Sequence, residues 1–214
     1  MQTEFVISIV LNLLAFVLMV IGIVVMLKGI DADEHLAADG LKAVKYFTVQ
    51  SNWLYGTYAL VFAVCEIIYG SADKIPSGFY TLKYVFTVGV TLTMLVVIFF
   101  LAPIVVKSYP ELFKGANLYY HLLIPVLGIV SFCFFEKDCE LSVRQTLCGM
   151  IPFVFYGIYY SINALSHAEN GQVEEKYDWY RFLAHGTAKA IPAMVIMTAS
   201  ALGICFGLRL LHSL

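Results

Sequence analysis

Residues 47–69 read FTVQSNWLYGTYALVFAVCEIIY, and whether this stretch crosses a membrane decides how many spans the fold has. Its length suits a helix that crosses a bilayer, which takes roughly 20 residues. Its first half, however, carries Thr48, Gln50, Ser51 and Asn52, hydrogen-bonding side chains that lipid cannot satisfy. Helical spacing resolves the conflict. Thr48, Ser51, Asn52 and Tyr55 recur at i, i+3, i+4 and i+7 and form one stripe. Such a stripe turns inward, to protein or to a water-filled cavity, and the helix can still span.

The rest of the chain agrees with that reading. Of 214 residues, 61% are hydrophobic and 13% charged, with a mean hydropathy of +0.84, where soluble domains carry about 25% charged residues. Runs long and apolar enough to span occur at about 5–27, 47–69, 80–102, 117–135, 145–164 and 190–211. The expected fold is therefore all-α, an integral multi-pass membrane protein whose whole chain, 1–214, forms a single bundle of six helices with short loops. The first run has neither a basic leader nor a small-residue cleavage site and reads as a retained helix.

Six spans place loops 1–2, 3–4 and 5–6 on one face. Lys28, Lys42, Lys45, Lys107, Lys114, Lys176, Arg181 and Lys189 fall on that face; Lys74, Lys83, Lys137, Arg144 and Arg209 fall on the other. The excess favours cytoplasmic odd-numbered loops. The net charge of −2, with no basic block long enough to suggest nucleic acid, points to no particular partner, and no nucleic acid is expected. His35, His121, His167 and His185 share the odd-loop face, and only His212 lies on the other. Cys65, Cys133, Cys139, Cys148 and Cys205 match no metal-binding spacing and read mainly as buried thiols; Cys133 and Cys139 flank one loop and could pair in an oxidising compartment.

Two further stripes accompany the one at residue 48. Tyr156, Tyr160, Asn163 and His167 rise toward the odd-loop face on the fifth run, and Tyr84, Thr87 and Thr91 lie along the third. In the fourth run His121 comes about one turn inside the helix, ahead of Pro125 and Gly128. Thr48 and His121 lie at similar depth, and packing of their helices would bring them within reach. A threonine hydroxyl next to a histidine base permits nucleophilic acyl transfer, with Asn52 and Gln50 as candidate oxyanion donors. No third group to orient the histidine is evident, and interhelical hydrogen bonding is the plainer role for such residues. A metal-dependent hydrolase would draw on His121, His167, His185 and the loop bearing Asp31, Asp33 and His35, but no HExxH spacing occurs. A small transporter or channel would use the stripes as a pathway with Glu66 near its far end, an interfacial glutamate being the plainer reading there.

KYFTVQSN at 45–52, YYHLLIPVL at 119–127 and DWYRFL at 178–183 resemble the androgen-induced gene/ADTRP family of multi-pass membrane proteins, over nearly the whole chain in helix order. The resemblance implies a threonine-type hydrolase of fatty acyl esters, such as fatty acid esters of hydroxy fatty acids. It implies Thr48 and His121 as the catalytic pair and a lipid drawn from the bilayer as the partner, without cofactor or metal. Substrate and oxyanion contacts would come from Asn52, Ser51, Gln50, Tyr55, Tyr160 and Asn163. Arg181 stands where the family has a proline, and Pro125 follows His121 more closely than in animal members, which points to a distant, bacterial branch.

Overall fold

The computed structural model describes residues 2–31, 40–102, 112–169, 172–183 and 187–214. Most of the described chain is helical: α1 (Gln2–Lys28), α2 (Phe47–Tyr69), α3 (Ser77–Leu101), α4 (Ala116–Phe135), α5 (Val143–Ser166) and α6 (Thr187–Ser213). A two-stranded ribbon, Ala168–Glu169 against Gln172–Val173, follows α5. Five of these helices, all but α2, are long and apolar enough to cross a membrane, the make-up of a multi-pass integral membrane protein. The polar first half of α2 sets it apart.

Local sequence explains several boundaries. Ser142 and Gln145 form a reciprocal capping box that starts α5, the S-x-x-Q signature of a helix start. Gly149 interrupts that helix between Val143–Cys148 and Ile151–Ser166, where a side chain would collide with Cys205 Sγ at 2.8 Å. Three residues earlier than the apolar pattern places it, α3 begins at Ser77, directly after Pro76, because proline suits the helix entrance and cannot continue one.

The helices alternate in direction. Ser8 of α1, Glu66 near the end of α2, Lys83 near the start of α3, Glu136 just after α4 and His212 at the end of α6 share one end of the bundle. At the other end, the starts of α2 and α4 meet, and the second half of α5 joins them through Tyr156. The central helix is α3: 61% of its spanning stretch is buried, against 28% for α1 and 17% for α5. On α1, Ser8, Asn12, Ala15, Met19 and Met26 point inward while Val6, Val10, Val17 and Val24 are exposed, an apolar outer face suited to lipid. Its contact with α2 is close because Gly56 has no side chain; a Cβ there would sit 2.5 Å from Met19 Cβ.

Two positional expectations change. Lys83, counted above as a charge near the even-loop surface, is fully buried, and Glu66, read as interfacial, is 2% exposed. Both sit deep enough for α1, α3 and α4 to close over them. Cys133 and Cys139 do not pair; all five cysteines are free.

Candidate functional site

The polar stripe of α2 faces inward. Ser51, Asn52 and Tyr55 are buried, and Thr48 is half-buried at the helix mouth. α4 lies alongside, and its local geometry follows from Pro125. Residues 119–123 form a wide π-type turn in which the N–H of Ile124 bonds the carbonyl of Tyr119, five residues back. The next carbonyl, that of Tyr120, would take the N–H of residue 125, and proline has none. Asn52 fills the gap: its Nδ2 donates to the Tyr120 carbonyl at 3.0 Å and to the Thr48 carbonyl at 2.8 Å. Trp53 Nε1 adds a bond to the Tyr120 hydroxyl at 3.0 Å. The two helices carrying the expected catalytic pair are thus tied to each other directly beside both residues.

His121 is buried. Its ring lies against the backbone of Thr93 on α3, and Nδ1 has no hydrogen-bond partner among the described residues. That backbone group is a candidate for the orienting contact that the sequence did not reveal. No hydrogen bond joins Thr48 to His121 among the described residues, and the Thr48 hydroxyl makes none to its neighbours there.

The remaining expected site residues fall into three groups. Both N–H groups of Asn52 are committed to carbonyls, so it holds the helices together and has no donor left for an oxyanion; its Oδ1 is buried without a partner among the described residues. The Ser51 hydroxyl donates to the Thr48 carbonyl at 3.1 Å. Gln50 gives one N–H to the Val44 carbonyl at 2.9 Å, and its second has no partner among the described residues. Two turns deeper, Tyr55 packs its ring where Gly128 leaves room, with a hydroxyl that finds no partner among the described residues.

Tyr160 and Asn163 do not join this group. Tyr160 donates to Asp178 Oδ1 and Asn163 Nδ2 to the Tyr177 carbonyl at 3.0 Å, so both hold the segment before α6. That segment closes over the start of α2. The Phe47 N–H, one of the first-turn donors a helix cannot satisfy itself, bonds the Tyr180 hydroxyl at 2.9 Å. Tyr156 donates to the Lys45 carbonyl at 2.6 Å and accepts from Trp179 Nε1 at 3.0 Å. Lys45 lies over the Trp179 ring, 5.3 Å from its centroid, a cation–π contact. Burial pushes the Tyr180 phenol up to about 12 and raises that of Tyr46, with the Glu175 carboxylate adding to the rise.

A cleft of about 300 Å³ opens between α2, α3 and α5. Gln50 and Ser51 line it with Phe47, Phe86, Gly89 and Tyr156. His167 is exposed and stacked on Tyr177 at 3.6 Å. His35, Asp33 and His185 lie outside the described residues, and no group of three potential metal ligands occurs among those described.

No family model, curated protein or solved structure matches this chain.

Proposed function

We propose that the protein is an intramembrane hydrolase of fatty acyl esters, in which α2 serves as a sixth span, Thr48 is the nucleophile and His121 the base. The observation that carries this reading is the buried His121 Nδ1, without a partner among the described residues, on a helix that Asn52 ties to the backbone of Thr48. The span count is supported by the course of α2, whose start meets α4 and α5 at one end of the bundle while Glu66 reaches Asn12 at the other. The cleft between α2, α3 and α5 gives an acyl chain a lateral entry, with the second N–H of Gln50 at its wall.

The chemistry runs in two halves. Thr48 Oγ1 attacks the ester carbonyl carbon as its proton passes to His121 Nδ1, giving a tetrahedral oxyanion. Collapse breaks the ester C–O bond, the leaving alkoxide takes the proton from His121, and an acyl-threonine remains. Water then attacks that acyl group, giving its proton to His121, which returns it to Thr48 as the fatty acid departs.

Thr48→Ala and His121→Ala in purified protein test this directly on long-chain acyl esters. Loss of turnover in both, with unchanged melting, supports the pair; unchanged turnover in either one removes it. A fluorophosphonate probe should label wild type and not Thr48→Ala.

A small transporter is the second reading, favoured by the buried Lys83, Glu66 and Glu136 at the far end of the bundle. Solute flux in proteoliposomes that survives both substitutions would select it.

A further inference from the structure

At the end of the bundle away from Thr48, three ionisable side chains are sealed inside. Lys83 is 0% exposed, Glu136 1% and Glu66 2%. Lys83 Nζ lies 3.6 Å from Glu136 Oε1 and donates to Asn12 Oδ1. Donors converge on that same carboxylate oxygen: Asn12 Nδ2 at 2.9 Å, Ser8 Oγ at 3.4 Å, and Ser131 Oγ. Glu66 is served far less well, by Asn12 Nδ2 at 3.5 Å and a share of Ser8.

The charge of this cluster disagrees with a fully ionised state. Two carboxylates face one ammonium, leaving an uncompensated negative charge inside an apolar bundle, where such a group takes up a proton in preference to staying charged. Glu136 Oε2 is also buried with no hydrogen-bond partner among the described residues. A single added proton removes the charge imbalance. A metal cation would not serve, since Lys83 already occupies the cation position between Asn12 and Glu136.

We infer that this cluster is a proton-binding site, with one exchangeable proton held on Glu66 and Glu136 kept as the carboxylate partner of Lys83. The convergence of donors decides which acid is neutral: hydrogen bonds to the charged form favour it, and they gather on Glu136. The other titratable groups that face the cluster are Tyr55 and Tyr58 of α2, Tyr80 of α3, Cys133 of α4, Asp138 and Cys139 in the following loop, and His212 of α6, whose Nε2 meets the Glu136 carbonyl at 3.0 Å. Among the described residues no second cation is paired with either carboxylate: Lys137 is exposed, and His212 contacts the backbone of Glu136, not its carboxylate. The inference stands apart from the hydrolase reading and does not depend on Thr48 or His121.

The test uses full-length protein in nanodiscs. Infrared spectra of wild type should show the carbonyl stretch of one buried carboxylic acid, diminishing as the pH is raised and missing from Glu66→Gln. Because glutamine mimics the protonated acid, Glu66→Gln should melt with wild type at acidic pH, where both the folded and the unfolded chain hold this proton, and escape the loss of melting temperature that wild type shows as the pH rises past the ordinary carboxylate range. Glu136→Gln, which strips Lys83 of its counter-charge, should melt well below both. Absence of that band from wild type overturns the inference, as does its survival in Glu66→Gln. So does a Glu66→Gln variant as unstable as Glu136→Gln, or protection of wild type by sodium or potassium that Glu66→Gln lacks.

Discussion

Asn52 occupies the hydrogen-bonding position that Pro125 vacates: its amide reaches the Tyr120 carbonyl at 3.0 Å, where an ordinary residue at 125 would have offered an N–H. The proline loosens α4 and the asparagine repairs it from another helix, so the join between α2 and α4 is chemical as well as steric.

Removing the repair should cost stability, and restoring the missing donor should recover part of it. Asn52→Leu leaves the Tyr120 carbonyl buried and unpaired, a loss of about 1–3 kcal/mol. Adding Pro125→Ala to that background returns an N–H to α4. Thermal melting of the detergent-solubilised variants should show the double variant above Asn52→Leu; equal melting would mean that the proline and the asparagine are unrelated.

The ion pair at the other end should show strong coupling. Lys83→Met strands a buried carboxylate and is expected to destabilise by about 3–5 kcal/mol, whereas replacing Lys83 and Glu136 together by apolar residues should cost much less. A double-mutant cycle on chemical denaturation measures the difference.

Close helix approach makes a third contrast. Gly56→Ala puts a methyl against the Met19 side chain at 2.5–2.6 Å and should destabilise by about 1–3 kcal/mol through overpacking. Gly203 has open space at the same position. Gly203→Ala should therefore be neutral or stabilising, as expected for replacing glycine in a helix.

The Tyr180 phenol sets a pH window. Its ordinary value is 10.0, and burial lifts it to about 12 in the folded protein. Above the ordinary value the unfolded chain has lost this proton while the folded chain still holds it, so stability falls as pH rises through that interval and is unaffected below it. Tyr180→Phe removes this contribution and also the acceptor for the Phe47 N–H, so it should melt lower at neutral pH and show a shallower alkaline decline.

The cleft makes a functional contrast. A side chain at Gly89 would point toward Ser51 Cβ and Phe47, 3.4 and 3.9 Å from its Cβ, so Gly89→Ala fits and Gly89→Leu fills the space. Hydrolysis of long-chain esters should drop about tenfold or more in Gly89→Leu, chiefly through KM, with short-chain esters less affected. Equal losses on both would mean the acyl chain enters elsewhere.

Amphipathic periodicity within single helices was enough to predict the inward stripe of Thr48, Ser51, Asn52 and Tyr55, and apolar length alone located the long helices to within a few residues. The same reasoning placed His121 one turn inside α4 and marked Pro125 as a weak point in its backbone. The partners of these groups were not legible. Asn52 and Tyr120 are 68 residues apart and Asn12 and Glu136 are 124 apart, and one helix's periodicity carries no information about its neighbour's rotation or depth. That is why Tyr160 and Asn163 read as companions of Thr48 yet fold onto the segment before α6, and why Lys83 and Glu66 read as surface charges. Sequence determined which faces turn inward, because lipid cannot hydrogen-bond. Only the packing of α1, α2, α3 and α4 decided which polar groups meet there, because a buried charge can be tolerated only where several helices bring its partners together.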